Sequence, residues 1–230
     1  MAAVRTASYS VAMSNPADRL AHIRDEIARA AALARRDAAE VQLIAVTKGR
    51  SAEEIEPLIA AGQRDFGESR VQETLAKWPL LLARHPELRL HAIGRLQSNK
   101  SAEAVQLFDV IHSLDRASLL DALAKEAEEA GRVPPVYVQV NIGEEEQKGG
   151  CPFGEVGALV DAVRASPLPL AGLMAIPPLG LEPSPFFALL AELARRHDVT
   201  GLSMGMSNDF KAAVMLGATA VRVGTALFED

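Results

Sequence analysis

Cysteine is almost missing from this 230-residue chain: Cys151 stands alone. An internal disulfide is therefore excluded, and a reducing compartment such as the cytoplasm is expected. Aromatic residues make up only 4 % of the chain, and no heptad seam is visible, so neither marks a contact surface. No apolar stretch approaches the roughly 20 residues that a membrane-crossing helix needs. The opening Met1–Ser10 lacks the apolar core of an export signal. Residues 1–14 are expected to be a flexible tail and residues 15–230 one domain. A basic surplus is lacking as well. Lys and Arg number 24 against 30 Asp and Glu, for a net charge of −6. That balance argues against general nucleic-acid affinity but leaves room for a local anion site. His22, His85 and His197 show no metal-ligand spacing with one another or with Cys151, and no metal site is expected.

What is present is a 49 % hydrophobic composition with a regular alternation of patterns. After Ser14-Asn15-Pro16, the residues Leu20, Ile23, Ile27 and Ala30 recur at helical spacing. Short apolar runs then read as buried strands at Val41–Thr47, Arg64–Gly67, Leu88–Ile93, Asp109–His112, Val136–Asn141, Leu170–Ala175, Gly201–Met204 and Ala220–Val223. Helical patterns separate them at Ala52–Ala61, Arg70–Ala83, Ser98–Leu107, Ala117–Ala130, Phe153–Ala165, Pro185–Arg196 and Asp209–Leu216. Eight strands alternating with helices predict an α/β fold, a single (β/α)8 TIM barrel with an extra N-terminal helix. A doubly wound open sheet is the alternative, weakened by the lack of a Gly-x-Gly-x-x-Gly opening its first helix. The loop from Pro177-Pro178 to Pro185 either borders a site or is a rigid surface connection.

In such a barrel, function sits at the C-terminal strand ends. Lys48 follows the first strand, where apolar neighbours would desolvate its amine and favour imine formation with an aldehyde; the alternative is a solvated loop lysine. Ser207 is placed to cap the helix after the seventh strand, with backbone amides open to an anion. Gly224 and Thr225 follow the eighth strand, and this pair of loops is the usual phosphate site of the fold. Arg222 shares the pleat side of Gly224, and needs either a buried acid or a ligand acceptor as its partner. An amine at one end and a phosphate nest at the other imply a phosphorylated aldehyde, a shape that pyridoxal 5′-phosphate (PLP) has. Lys148, beside Glu144-Glu145-Glu146, is either a solvated loop pair or a second amine for the same ligand. His112 lies against the ligand or is a satisfied barrel histidine, and Asn99 and Lys100 line the mouth or cap a helix. Cys151 is expected to be an inert thiol, and Trp78, with Leu75 and Leu82, a packing residue.

Ordered segments throughout the chain resemble the pyridoxal phosphate homeostasis protein family. They are Ala45-Val46-Thr47-Lys48, Phe66-Gly67-Glu68-Ser69-Arg70-Val71-Gln72-Glu73, His91 through Lys100, Ile111-His112-Ser113, Val140-Asn141 with Glu145 and Lys148–Gly150, Gly172-Leu173-Met174, Leu202 through Ser207, and Arg222-Val223-Gly224-Thr225. The resemblance implies a PLP barrel of fold type III, similar to the N-terminal domain of alanine racemase. It implies Lys48 as the PLP-imine lysine, Ser207, Gly224 and Thr225 at the phosphate, and Arg222 at the pyridine nitrogen. Ser69, Met204 and His112 are further cofactor-binding candidates. The chain departs from the family at Ser69, where Asn is usual, and at Arg95, where His is frequent. A guanidinium has no proton that it readily yields, so the ring would be a poor electron sink. The chain also ends soon after its last strand, so no second domain is expected to bring another base. A PLP-binding and homeostasis protein without fast turnover is the expectation, cytoplasmic, a monomer or weak homodimer, passing PLP to dependent enzymes. A slow amino-acid racemase, a Schiff-base aldolase acting on a sugar phosphate, and a ligand-free interaction module are the alternatives.

Overall fold

Asn15 starts the first helix, α1 (Pro16–Leu33): its side chain accepts from the Asp18 amide, and Pro16 fills the position where a missing N–H costs nothing. Leu20, Ile23, Ile27 and Ala30 are buried along one face, as their spacing predicts. The computed structural model describes residues 15–228, so the expected tail at 1–14 lies outside the described residues. Eight strands follow: β1 (Gln42–Val46), β2 (Asp65–Glu68), β3 (Arg89–Ala92), β4 (Val110–Leu114), β5 (Val136–Val140), β6 (Leu170–Ala175), β7 (Leu202–Ser203) and β8 (Ala220–Val223). Between and after them come α2 (Ala52–Ala60), α3 (Val71–Arg84), α4 (Ser101–Leu107), α5 (Ala117–Ala130), α6 (Val156–Ala165), α7 (Ser184–Arg196), α8 (Phe210–Met215) and a single turn, α9 (Thr225–Phe228). None of the described helices is long and apolar enough to cross a membrane.

The strands pair in parallel and in order, and β1 pairs with both β2 and β8, which closes the barrel and rules out the open sheet. The register aligns Ala45 with Phe66 on one side and with Val223 on the other. Alternation along each strand separates two interiors. Outward positions such as Leu43, Phe66, Leu90, Val138 and Val221 join the helices in the main hydrophobic cluster. Inside the cylinder, apolar Ile44 and Met174 stand beside a buried polar row of Asp65, His91, His112, Ser203 and Arg222. Barrels of this kind usually fill that space with branched apolar side chains, so the polar row needs an explanation.

Element ends differ from expectation in a few places. The helices expected from Ser98 and Phe153 open as 3-10 turns at Ser98–Lys100 and Phe153–Glu155, neither with a capping side chain. Strand β4 continues to Leu114, which pairs with Val138 across a register shift. Strand β7 is only two residues long, because the chain turns away at Gly205, whose φ is 93°. Trp78 is buried as expected, packed on Phe66 with ring centroids 5.1 Å apart, but Leu75 points to solvent.

Candidate functional site

A cavity of about 640 Å3 opens at the C-terminal ends of the strands, lined by Lys48, Ser69, Ser207, Arg222, Gly224 and Thr225 among others. Six of the expected site residues therefore meet in one place. Lys48 follows β1 after Thr47, whose amide donates to Gly67 O at 3.0 Å and extends the strand by one step. The Lys48 side chain is exposed at the rim, not shielded by apolar strands as its sequence position suggested, because it lies beyond the last ladder residue. It has no hydrogen-bond or ion-pair partner among the described residues.

The turn that carries Lys48 is pinned from behind. Lys77 on α3 donates to the carbonyls of Thr47 and Arg50 at 2.8 and 3.0 Å and pairs with Glu68 at 2.7 Å. The same Glu68 oxygen accepts from the Thr47 hydroxyl at 2.6 Å and from Trp78 Nε1 at 2.9 Å. Sequence reasoning missed this clamp. Its signal was a charged residue in a strand otherwise made for burial, Phe66-Gly67-Glu68, which must find donors when buried.

At the other end, the Ser207 hydroxyl oxygen accepts from the amides of Gly224 at 3.2 Å and Ala226 at 3.3 Å. Ser207 thus does not cap α8, contrary to expectation; Asp209 holds the N-cap position there, and its carboxylate instead accepts from the Met206 amide at 2.5 Å. The amides after β8 are aimed at an oxygen acceptor, as an anion site requires. Gly224 has little room for a side chain: a Cβ there would stand 3.2 Å from Val46 Cβ.

Arg222 donates to Ser203 Oγ at 2.6 Å and to Ala175 O at 3.0 Å. Burial pushes the guanidinium down to about 10, against the opposing influence of Asp209 and Tyr137. It is still cationic at neutral pH, and no carboxylate pairs with it among the described residues. Of its two expected partners, the buried acid is not found among the described residues. A buried cation with only neutral partners has capacity left for an acceptor in the cavity.

Two candidates do not line this cavity. Met204 is fully buried in the hydrophobic cluster, since odd and even positions of β7 face opposite ways and Ser203 takes the inward one. His112 is also fully buried, stacked on Tyr137 at 4.3 Å and bonded to His91 and Ser203, so it touches the cavity only through Ser203 and Arg222. Lys148 pairs with Glu145 at 2.6 Å, the loop pair that its acidic neighbours suggest, while its side chain also edges the cavity. Lys100 pairs with Glu103 and faces a neighbouring cleft, not the mouth.

The sequence profile of the alanine racemase N-terminal domain family matches residues 19–230. The pyridoxal phosphate homeostasis protein of Pseudomonas aeruginosa is 42 % identical over 94 % of this chain and 96 % of that protein. PipY of Synechococcus elongatus, whose structure was solved with PLP bound, is 40 % identical with a TM-score of 0.81, over 93 % of this chain and all of that one. Alanine racemase from Corynebacterium glutamicum superposes with a TM-score of 0.66 at 18 % identity, over 92 % of this chain and 60 % of that one, which speaks for the fold alone. With similarity along almost its whole length to proteins of that name, the chain belongs to the pyridoxal phosphate homeostasis proteins, within the alanine racemase N-terminal domain family.

Proposed function

We propose that this chain binds PLP reversibly at the barrel mouth and serves vitamin B6 homeostasis as a carrier, without fast turnover. The observation that carries the reading is the shared cavity: an amine on Lys48 without a partner among the described residues, amides aimed at an oxygen acceptor after β8, and a buried guanidinium that no carboxylate among the described residues pairs with. Those three groups fit the aldehyde, the phosphate and the ring nitrogen of the cofactor. PLP, when bound, supplies an aldehyde that condenses reversibly with an amine. Lys48 is the residue for that bond, Ser207, Gly224 and Thr225 hold the anionic end, and Ser69 lies along the side of the cavity. Arg222 donates to the ring nitrogen and keeps its own proton, which suits holding the ligand better than withdrawing electrons from a substrate.

Ser207 matters for release. Because its hydroxyl already gives two amides an acceptor, a phosphate drawing on those donors first breaks their bonds to Ser207, which offsets part of its binding and frees the hydroxyl to donate to the anion. Location in the cytoplasm, delivery to PLP-dependent enzymes, and a monomeric or weakly dimeric state belong to the same reading. The reading is tested by borohydride reduction of the full chain incubated with PLP, followed by peptide mass spectrometry. The expected result is a pyridoxyl group on Lys48, with Lys48→Ala folded and colourless. An adduct confined to Lys148, or colour that survives Lys48→Ala, overturns it.

A further inference from the structure

A continuous line of hydrogen bonds runs through the middle of the barrel, from one end to the other. Starting at the mouth, Arg222 Nη1 contacts Ser203 Oγ at 2.6 Å. Ser203 Oγ contacts His112 Nδ1 at 2.8 Å. His112 Nε2 lies 3.0 Å from His91 Nδ1, and His91 Nε2 lies 3.1 Å from Asp65 Oδ1. Asp65 begins β2, at the opposite end from the cavity, and is held there by Gln42 at 2.9 Å and by Arg89 at 2.8 and 3.0 Å.

The chemistry of the two ends decides which way every proton points. A guanidinium only donates, so Ser203 Oγ accepts from Arg222. The Ser203 hydroxyl has one proton, and His112 Nδ1 is its one acceptor among the described residues. His112 must then carry its proton on Nε2 and donate to His91 Nδ1. That leaves His91 with its proton on Nε2, facing the carboxylate of Asp65, which only accepts when ionised. With the opposite polarity, the Ser203 hydroxyl proton has no acceptor. A neutral His91 would also turn a lone pair toward the carboxylate. Only the first arrangement satisfies every atom with two neutral rings.

We infer that Asp65, His91, His112 and Ser203 form a relay of fixed polarity, Arg222 to Asp65, in which each group donates to the next, and that these four are positioning residues for Arg222. The relay explains why a polar row is kept inside the barrel. It ties the guanidinium to a carboxylate across the full depth of the barrel, while the nearer carboxylate, Asp209 in the cavity lining, makes no hydrogen bond or ion pair with it among the described residues. An acid in contact with Arg222 would neutralise the charge that the mouth needs. Through neutral intermediates the same anchoring is achieved, and the donor direction of Arg222 stays fixed.

The relay is read directly in the full-length chain without ligand, by nitrogen NMR of 15N-histidine-labelled protein near neutral pH. His112 and His91 are assigned by their single Gln variants. The expected result is two neutral imidazoles, both protonated on Nε2. A proton on His112 Nδ1, or a doubly protonated His91, overturns the assignment. The effect on Arg222 rests on the PLP reading above and is measured on PLP-loaded protein. Asp65→Asn and Ser203→Ala are each expected to shift the visible absorbance maximum and to speed PLP release about tenfold, the size of a lost charge-assisted hydrogen bond. Unchanged absorbance and release in both variants overturn the positioning role. Where Asp65→Asn fails to fold, Ser203→Ala, which removes one oxygen, decides the point. If wild-type protein takes up no PLP, the functional reading fails, while the tautomers still decide the relay.

Discussion

Burial drives the His112 imidazole well below its ordinary 6.5, and the buried Arg222 cation adds to the effect. The unfolded chain takes a proton at this ring below 6.5 and the folded chain does not, so acid favours unfolding. The stabilisation is complete above 6.5 and falls as the pH drops toward the depressed folded value, by about 1.4 kcal/mol per pH unit. Urea unfolding at several pH values should show a shallower acid loss for His112→Gln than for the wild type; equal slopes would contradict the account. Cys151 offers a simpler check. Burial pushes its thiol up to about 12, with Asp115 and Glu155 adding to the rise. At neutral pH a thiol reagent should therefore label it only after denaturation. Lys48, Arg222 and Gly224 were legible in the sequence because position at a strand end and residue chemistry both single them out. Asp65, His91 and Ser203 were not. Alternation says that they face inward, but contacts between residues as distant as His112 and Ser203 exist only after folding.

Among the elements, α3 does more than cover the barrel. Through Lys77 and Trp78 it holds the buried Glu68 and, with it, the Thr47–Arg50 turn. Lys77→Met strands a buried carboxylate and is expected to cost about 3 kcal/mol. Adding Glu68→Gln should recover part of that loss, because a neutral amide tolerates the missing cation; denaturant curves of the single and double variants measure the coupling. The turn after β7 is the other fixed point. At Gly205, with φ of 93°, a Cβ would stand 2.5 Å from Ala213 Cβ. Gly205→Ala combines strain with overpacking and is expected to destabilise by about 2 kcal/mol or more. Element ends were legible where a turn residue punctuates the pattern. Helix α5 runs from Ala117 to Ala130 as expected, stopped by Gly131 in the left-handed region. They were less so where a helix opens without a capping side chain, as at Ser98 and Phe153, since propensity there does not distinguish a 3-10 turn from the α-helix that follows.

At the scale of the whole molecule, closure gives β1 and β8 the same standing as strands in the middle of the sequence. Backbone amides of Ala45 and Val223 should therefore be as protected from hydrogen exchange as those of Val138, whereas an open sheet would release its edge strands first. The eightfold alternation was readable from the sequence, but closure was not, since a doubly wound sheet has the same local pattern and differs only in which strands meet last. That last meeting also has a temporal side. Lys48 follows the first strand and the amides around Gly224 follow the final one, and only the β1–β8 seam makes them neighbours. A nascent chain emerging from synthesis holds one half of the site without the other until its end has joined its beginning. Colour acquired from the vitamin should therefore come late in refolding, after the cylinder is sealed, and a coloured chain is one whose assembly is finished.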